Sequence, residues 1–210
     1  MSEKKEVTFV TGGASGIGKA VCLELSSKGN SVIIADIDEV KGGETCEEIR
    51  SNGGEAIFHR VDVRERDQIR HAADNSVKRF GKITGLVNCA GLVKMTSLDE
   101  LTEEEWDLVV DVNLKGTWLT TQEVSRDIAT AGGGAVVNIS TVEAEVVVSS
   151  KGYCQVHYNA SKGGVKMLTK ALSVELAKKS IRVNAVAPGP IATDFVSLEG
   201  ITAPETLEEL

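Results

Sequence analysis

No run of apolar residues in this 210-residue chain approaches the length needed to cross a bilayer. The opening Met1-Ser-Glu-Lys-Lys-Glu6 lacks an apolar signal region and leads straight into a strand-like segment. Positive charge is also scarce: 23 Lys and Arg against 31 Asp and Glu leave a formal charge of −8. A polyanion attracts basic surfaces, so that balance argues against nucleic acid or an anionic membrane as a partner. The four cysteines (Cys22, Cys46, Cys89 and Cys154) form no C-x-x-C pair and no zinc-like spacing with His59, His71 or His157. No metal site is therefore expected, and reduced thiols in a cytoplasmic protein are the simplest reading. Without an internal repeat or low-complexity linker, residues 1–210 read as one domain. What is present, 41% hydrophobic and 26% charged residues, is ordinary for a soluble protein with one substantial core.

Strand-like and helix-like segments alternate along the chain. Glu6–Thr11, Ser31–Asp36, Glu55–Val61, Ile83–Asn88, Ala135–Ser140 and Arg182–Ala187 read as strands. Helices are expected over Gly18–Lys28, Val40–Ser51, Glu65–Phe80, a stretch starting after Thr102, Asn113–Ala131 and His157–Lys178. Thr102 followed by three glutamates reads as a cap with an acidic first turn. Gly132-Gly-Gly134 breaks one helix, and Pro188-Gly189-Pro190 ends the last strand. Val- and Ile-rich strands separated by helices imply a parallel sheet covered on both faces. The fold class is thus α/β: a Rossmann-type doubly wound parallel sheet in three α/β/α layers, with six strands in this chain.

The first strand–helix junction carries Thr11-Gly12-Gly-Ala-Ser15-Gly16-Ile17-Gly18. Glycines there allow a tight turn and close backbone approach to a pyrophosphate at a helix N-terminus. Asp36 ends the second strand, where a carboxylate accepts from both adenosine ribose hydroxyls and repels a 2′-phosphate. Its neighbours Ala35 and Ile37 offer no cation for that phosphate, which favours NAD over NADP. Asp62-Val63, after the third strand, can read the adenine amine through a side chain and a backbone group. Tyr158 and Lys162 stand at i and i+4 on one helix face. A lysine cation beside a phenol favours the phenolate and lowers its pKa, so the pair can give or take a proton at a substrate oxygen.

In their order and spacing these stretches resemble the short-chain dehydrogenase/reductase family of the common single-domain type. The likeness runs from about Val7 to Thr193. It rests on Thr11-Gly12-x-x-x-Gly16-x-Gly18, Asp62, Asn88-Cys-Ala90-Gly91, Asn113, Asn138-Ile-Ser140-Thr141, Tyr158-x-x-x-Lys162 and Pro188-Gly189-x-Ile191-x-Thr193. It implies an oxidoreductase that moves a hydride between a nicotinamide and an alcohol or ketone. Tyr158 would be its acid/base, and Lys162 would tune the phenol and bind the nicotinamide ribose. Asn113 would hold a helix kink and a water in a proton relay. Asn88, Ala90 and Gly91 would support the fourth strand and line the cofactor site, while Pro188, Gly189, Ile191 and Thr193 would grip the nicotinamide end.

Two features depart from the family pattern. The hydroxyl that polarises the substrate carbonyl is normally a serine, and Thr141 stands in its place. Its extra methyl restricts the rotamer and crowds the substrate. The linker from Thr141 to Tyr158 is a few residues longer than usual, which leaves Ser140 and Ser149 as alternative donors. The family's chains also usually continue past this point through a substrate-covering segment and a last strand. An exposed sixth strand and a thinner lid are therefore expected. Beside the enzyme stand two other readings: a truncated, non-catalytic dinucleotide-binding protein, and an oligomerisation subunit of the same fold. The helices after Asn113 and around Tyr158 would pair in a homo-oligomer.

Overall fold

The computed structural model describes residues 5–147 and 154–193. Six strands, β1 (Val7–Thr11), β2 (Ser31–Asp36), β3 (Glu55–Arg60), β4 (Gly85–Asn88), β5 (Gly134–Ile139) and β6 (Ile181–Val186), alternate with helices. These are α1 (Gly16–Ser27), α2 (Glu39–Ser51), α3 (Arg66–Phe80), α4 (Glu103–Val110), α5 (Gly116–Thr130) and α6 (Val156–Ala177). All five strand pairings are parallel, in the order β3-β2-β1-β4-β5-β6. The β1 residues are all buried, as a strand covered on both faces must be.

Alternation along the strands feeds two apolar layers. Val7, Phe9 and Ile33 point to a core shared with α3, α5 and α6, through Ile69, Ala72, Leu119, Val124, Ile128 and Leu176. Val10, Val32 and Ile34 point the other way, onto Cys22 of α1 and Cys46 and Ile49 of α2. This is the doubly wound three-layer arrangement expected from the alternation, with helix and strand ends shifted by one to three residues. The Thr102 hydroxyl accepts from the Glu105 N–H at 3.2 Å, capping α4 as its sequence suggests. Strand order reverses between β1 and β4, which opens a crevice at their carboxyl ends.

The helical region around Asn113 is more continuous than the two separate helices expected. α4 runs through a π-helical turn, Asp111–Lys115, directly into α5. A π turn widens the backbone by one residue and is the physical form of a kink here.

Candidate active site

The glycine-rich loop is shaped by close backbone packing. Gly12 adopts φ +67°, and a Cβ there would lie 2.7 Å from the Ala90 nitrogen. At Gly18 a Cβ would meet the Gly12 carbonyl oxygen at 2.0 Å, so α1 can start against the loop only without side chains. The Ser15 side chain caps no N–H of α1, and no acid stands in the first turn. The helix therefore presents uncapped donors and an unneutralised positive end toward the crevice, which fits the pyrophosphate of a dinucleotide. Thr193 approaches from the other side, 3.5 Å from a Cβ placed on Gly16. The segment after β6, with Pro188, Gly189 and Ile191, thus returns to the same loop.

Asp36 does more than its strand-end position suggests. Its carboxylate accepts from the Ala14 N–H and the Asp38 N–H, each at 3.0 Å, and so ties β2 to the glycine-rich loop. Ile37 beside it is exposed. The Asp62 carboxylate is held bidentately by Arg64, whose hydrogen bonds keep it below the usual carboxylate range. Val63 turns inward: a Cβ on Gly116 would lie 2.7 Å from its side chain, so Val63 packs against α5.

Asn88 sits inside the fold. Its amide donates to Thr121 Oγ1 at 3.0 Å and to Asn138 Oδ1 at 2.8 Å, stapling β4 to α5 and β5. The Ala90 N–H donates to Thr11 Oγ1 at 3.2 Å, joining the loop after β4 to the end of β1. Gly91 lies at the junction of Asn113 and Lys162, with 3.2 Å and 3.5 Å from its Cβ direction to Asn113 Oδ1 and Lys162 Nζ. Asn113 itself is fully buried. It accepts from Leu92 N–H at 2.8 Å, and donates to the Leu92 carbonyl at 2.9 Å and to Ser161 Oγ at 3.0 Å.

Tyr158, Thr141 and Lys162 meet where α6 passes the end of β5. Lys162 is buried, donates to the Ile139 carbonyl at 2.8 Å, and lies 5.8 Å from the Tyr158 ring centre. Burial lowers its pKa to about 8. The Thr141 hydroxyl acts on the phenol in the direction that favours its ionised form. Its other contacts are weak: 3.5 Å to the Pro188 carbonyl, and 3.3 Å from the Glu143 N–H. Ser140, by contrast, already spends its hydroxyl on the Lys162 carbonyl at 3.3 Å. Ser149 lies outside the described residues.

A family model described as short chain dehydrogenase matches residues 6–201. The chain belongs to this family. Short-chain dehydrogenases are oxidoreductases that use nicotinamide cofactors, and the glycine cradle fits one. Over 98% of its length the chain is 35% identical to cyclopentanol dehydrogenase of Comamonas sp. (strain NCIMB 9872), covering 80% of that protein. It is 39% identical to the 3-oxoacyl-[acyl-carrier-protein] reductase FabG of Thermotoga maritima, over 90% of this chain and 75% of that one. A crystal structure of a dehydrogenase/reductase from Sinorhizobium meliloti 1021 superposes with a TM-score of 0.90 at 30% identity. That match covers 99% of this chain and 80% of the other.

For a short-chain dehydrogenase, the electrostatics of the phenol run against the expectation from the sequence. Burial pushes the Tyr158 pKa up, and the Glu143 carboxylate pushes the same way. The ammonium donates to the Ile139 carbonyl and lies 5.8 Å from the ring centre. Ser161 and Glu143 are the residues that sequence reasoning passed over. Ser161 could have been found, since it lies between Tyr158 and Lys162 and one face of α6 must meet the Asn113 turn. Glu143 carried a weaker signal, an acid followed by an apolar run.

Proposed function

We propose that this chain is an NAD-dependent dehydrogenase of alcohols and reductase of ketones, with Tyr158 as its acid/base. The observation that carries the reading is Lys162, buried and 5.8 Å from the Tyr158 ring centre, where α6 passes Ser140 and Thr141. In the reducing direction, the carbonyl oxygen accepts hydrogen bonds from Thr141 and Tyr158 as negative charge develops on it. The phenol then passes its proton to that oxygen, and the alkoxide becomes the alcohol. A nicotinamide, when bound, would supply the hydride to the carbonyl carbon. Lys162, charged below about pH 8, would offset the phenolate left behind and would hold the nicotinamide ribose. Asn113 orients this group by holding the Leu92 backbone and Ser161 together. Oxidation of an alcohol follows the same path backwards.

NAD is favoured over NADP because Asp36 fixes a carboxylate beside the loop, and a 2′-phosphate there meets like charge. Residues 1–210 act in this reading as one dinucleotide-binding domain, in a compartment that keeps its four free thiols reduced. We also infer a homo-oligomer: the partly exposed Trp106 of α4 and Trp118 of α5 are aromatic surface of the kind interfaces use. Purified protein is mixed with NADH or NADPH and a panel of ketones, and followed at the nicotinamide absorbance. Turnover with tighter binding of NADH is expected, and Asp36→Ala should narrow the preference. Equal dissociation constants for the two cofactors would overturn the NAD assignment, and dinucleotide binding without turnover of any ketone would leave the non-catalytic reading.

A further inference from the structure

Glu143 stands in the short 3-10 turn Val142–Ala144 that directly follows Thr141. One contact closes this turn on Thr141, and two tie the segment to α6. The Glu143 N–H donates to Thr141 Oγ1 at 3.3 Å. Glu145 pairs with Lys166, one turn beyond Lys162. With the Asn159 amide oriented to suit its acceptors, its nitrogen donates to Glu143 Oε2 and to the Gln155 carbonyl, each at 3.1 Å. Asn159 is the residue after Tyr158, so this bond ties the Glu143 carboxylate to the first turn of α6. Glu143 is half-buried, and its charge acts on Tyr158.

Among the described residues no cation pairs with Glu143. Lys166 is taken by Glu145, and Lys162 is bonded to Ile139 beyond the tyrosine ring. The hydroxyl of Thr141 and the amide of Asn159 are neutral. A carboxylate unpaired among the described residues, in the turn that follows Thr141, disfavours any further negative charge there.

Resting on the ketone-reducing reading above, we propose that Glu143 selects substrates by charge. It excludes ketones that carry an anionic group close to the reacting carbonyl, and it admits neutral ones or those with a hydroxyl or amine donor at that position. Two unit charges about 6 Å apart, at an effective dielectric constant of about 40, repel enough for roughly a tenfold rate difference. Burial raises the Glu143 pKa, so the exclusion weakens as pH falls and the carboxylate takes up a proton.

The test compares ethyl acetoacetate with acetoacetate in the parent protein and in Glu143→Gln, which keeps an oxygen for Asn159. The ratio of kcat/KM for ester over acid should fall about tenfold in the variant, and the parent's ratio should fall with decreasing pH while the variant's stays flat. An unchanged ratio in Glu143→Gln overturns the proposal. A second readout needs no turnover. The chain has 2 tyrosines, Tyr153 and Tyr158, so 13Cζ-tyrosine NMR gives two signals that Tyr153→Phe assigns. Glu143→Gln should lower the titration midpoint of Tyr158 and leave Tyr153 in place; a fixed Tyr158 midpoint also overturns the proposal. If the midpoint moves but the parent reduces no ketone, the ketone reading falls, and with it substrate selection, while the charge contact itself stands.

Discussion

Lys162 is an ammonium that the fold makes costly to keep charged. Its pKa falls from 10.5 to about 8 on burial. Below pH 8 both folded and unfolded chains carry the proton, and the folded one bears the full desolvation cost. Between about pH 8 and 10.5 the unfolded chain binds more protons than the folded one, so stability rises with pH across that window. The shift corresponds to roughly 3 kcal/mol. Lys162→Met should therefore be more stable than the parent at pH 7, less the cost of the orphaned Ile139 carbonyl, and the gap should close by pH 10.5. Urea midpoints at the two pH values measure it. A constant gap would mean that Lys162 is not charged where it is buried. On the catalytic side, Tyr158→Phe should lose roughly a hundredfold to ten-thousandfold in turnover with NADH binding almost unchanged. Thr141→Val should cost about a hundredfold in kcat, as removal of one donor to a developing oxyanion does. Thr141→Ser should keep or raise the rate by removing the methyl. If Ser140→Ala is the damaging change and Thr141→Val is tolerated, Ser140 is the donor.

Secondary-structure elements are joined by buried side-chain hydrogen bonds as well as by apolar packing. Asn88 on β4 donates to Asn138 on β5, and the Asn138 amide donates to Thr169 Oγ1 on α6 at 2.9 Å. All three side chains are buried, so each bond replaces one that water would otherwise supply. Asn138→Ala takes an acceptor from Asn88 and a donor from Thr169, and it leaves a small cavity. A loss of about 1–3 kcal/mol is expected. Because α6 also carries Tyr158 and Lys162, kcat should fall alongside stability, whereas cofactor binding at the β1–α1 loop should hold. Equal losses at both ends would show that the staple supports the whole sheet rather than one side of it.

Across the whole molecule, protection should follow the sheet order. β1 lies between β2 and β4 with every residue buried, whereas β6 pairs only with β5 among the described residues. Val186 remains 52% exposed. Strands at the middle of a sheet open only with the whole fold, and edges open locally. Amide hydrogen exchange should therefore be slowest at Phe9 and Val10 and at least tenfold faster along β6. Equal protection would mean that another strand covers β6 in solution, from this chain or from a second copy.

The layered sheet was legible in the chain because its cause is local. Runs of Val and Ile, the Gly12 to Gly18 spacing and the Thr102 cap each dictate backbone geometry within a few residues. The positions of Tyr158, Lys162, Thr141 and Asn113 were legible too, since their spacing along the chain survives folding. Their electrostatics were not. Whether Lys162 lowers the Tyr158 pKa depends on burial, on where the ammonium points and on Glu143, which is fifteen residues from Tyr158 in the chain. Likewise Asp36 reads as a ribose ligand from its strand end, but its grip on Ala14 N–H needs β2 laid beside β1. Solvent exclusion and the direction of a charge are properties of the assembled fold, so only the tertiary structure could decide them.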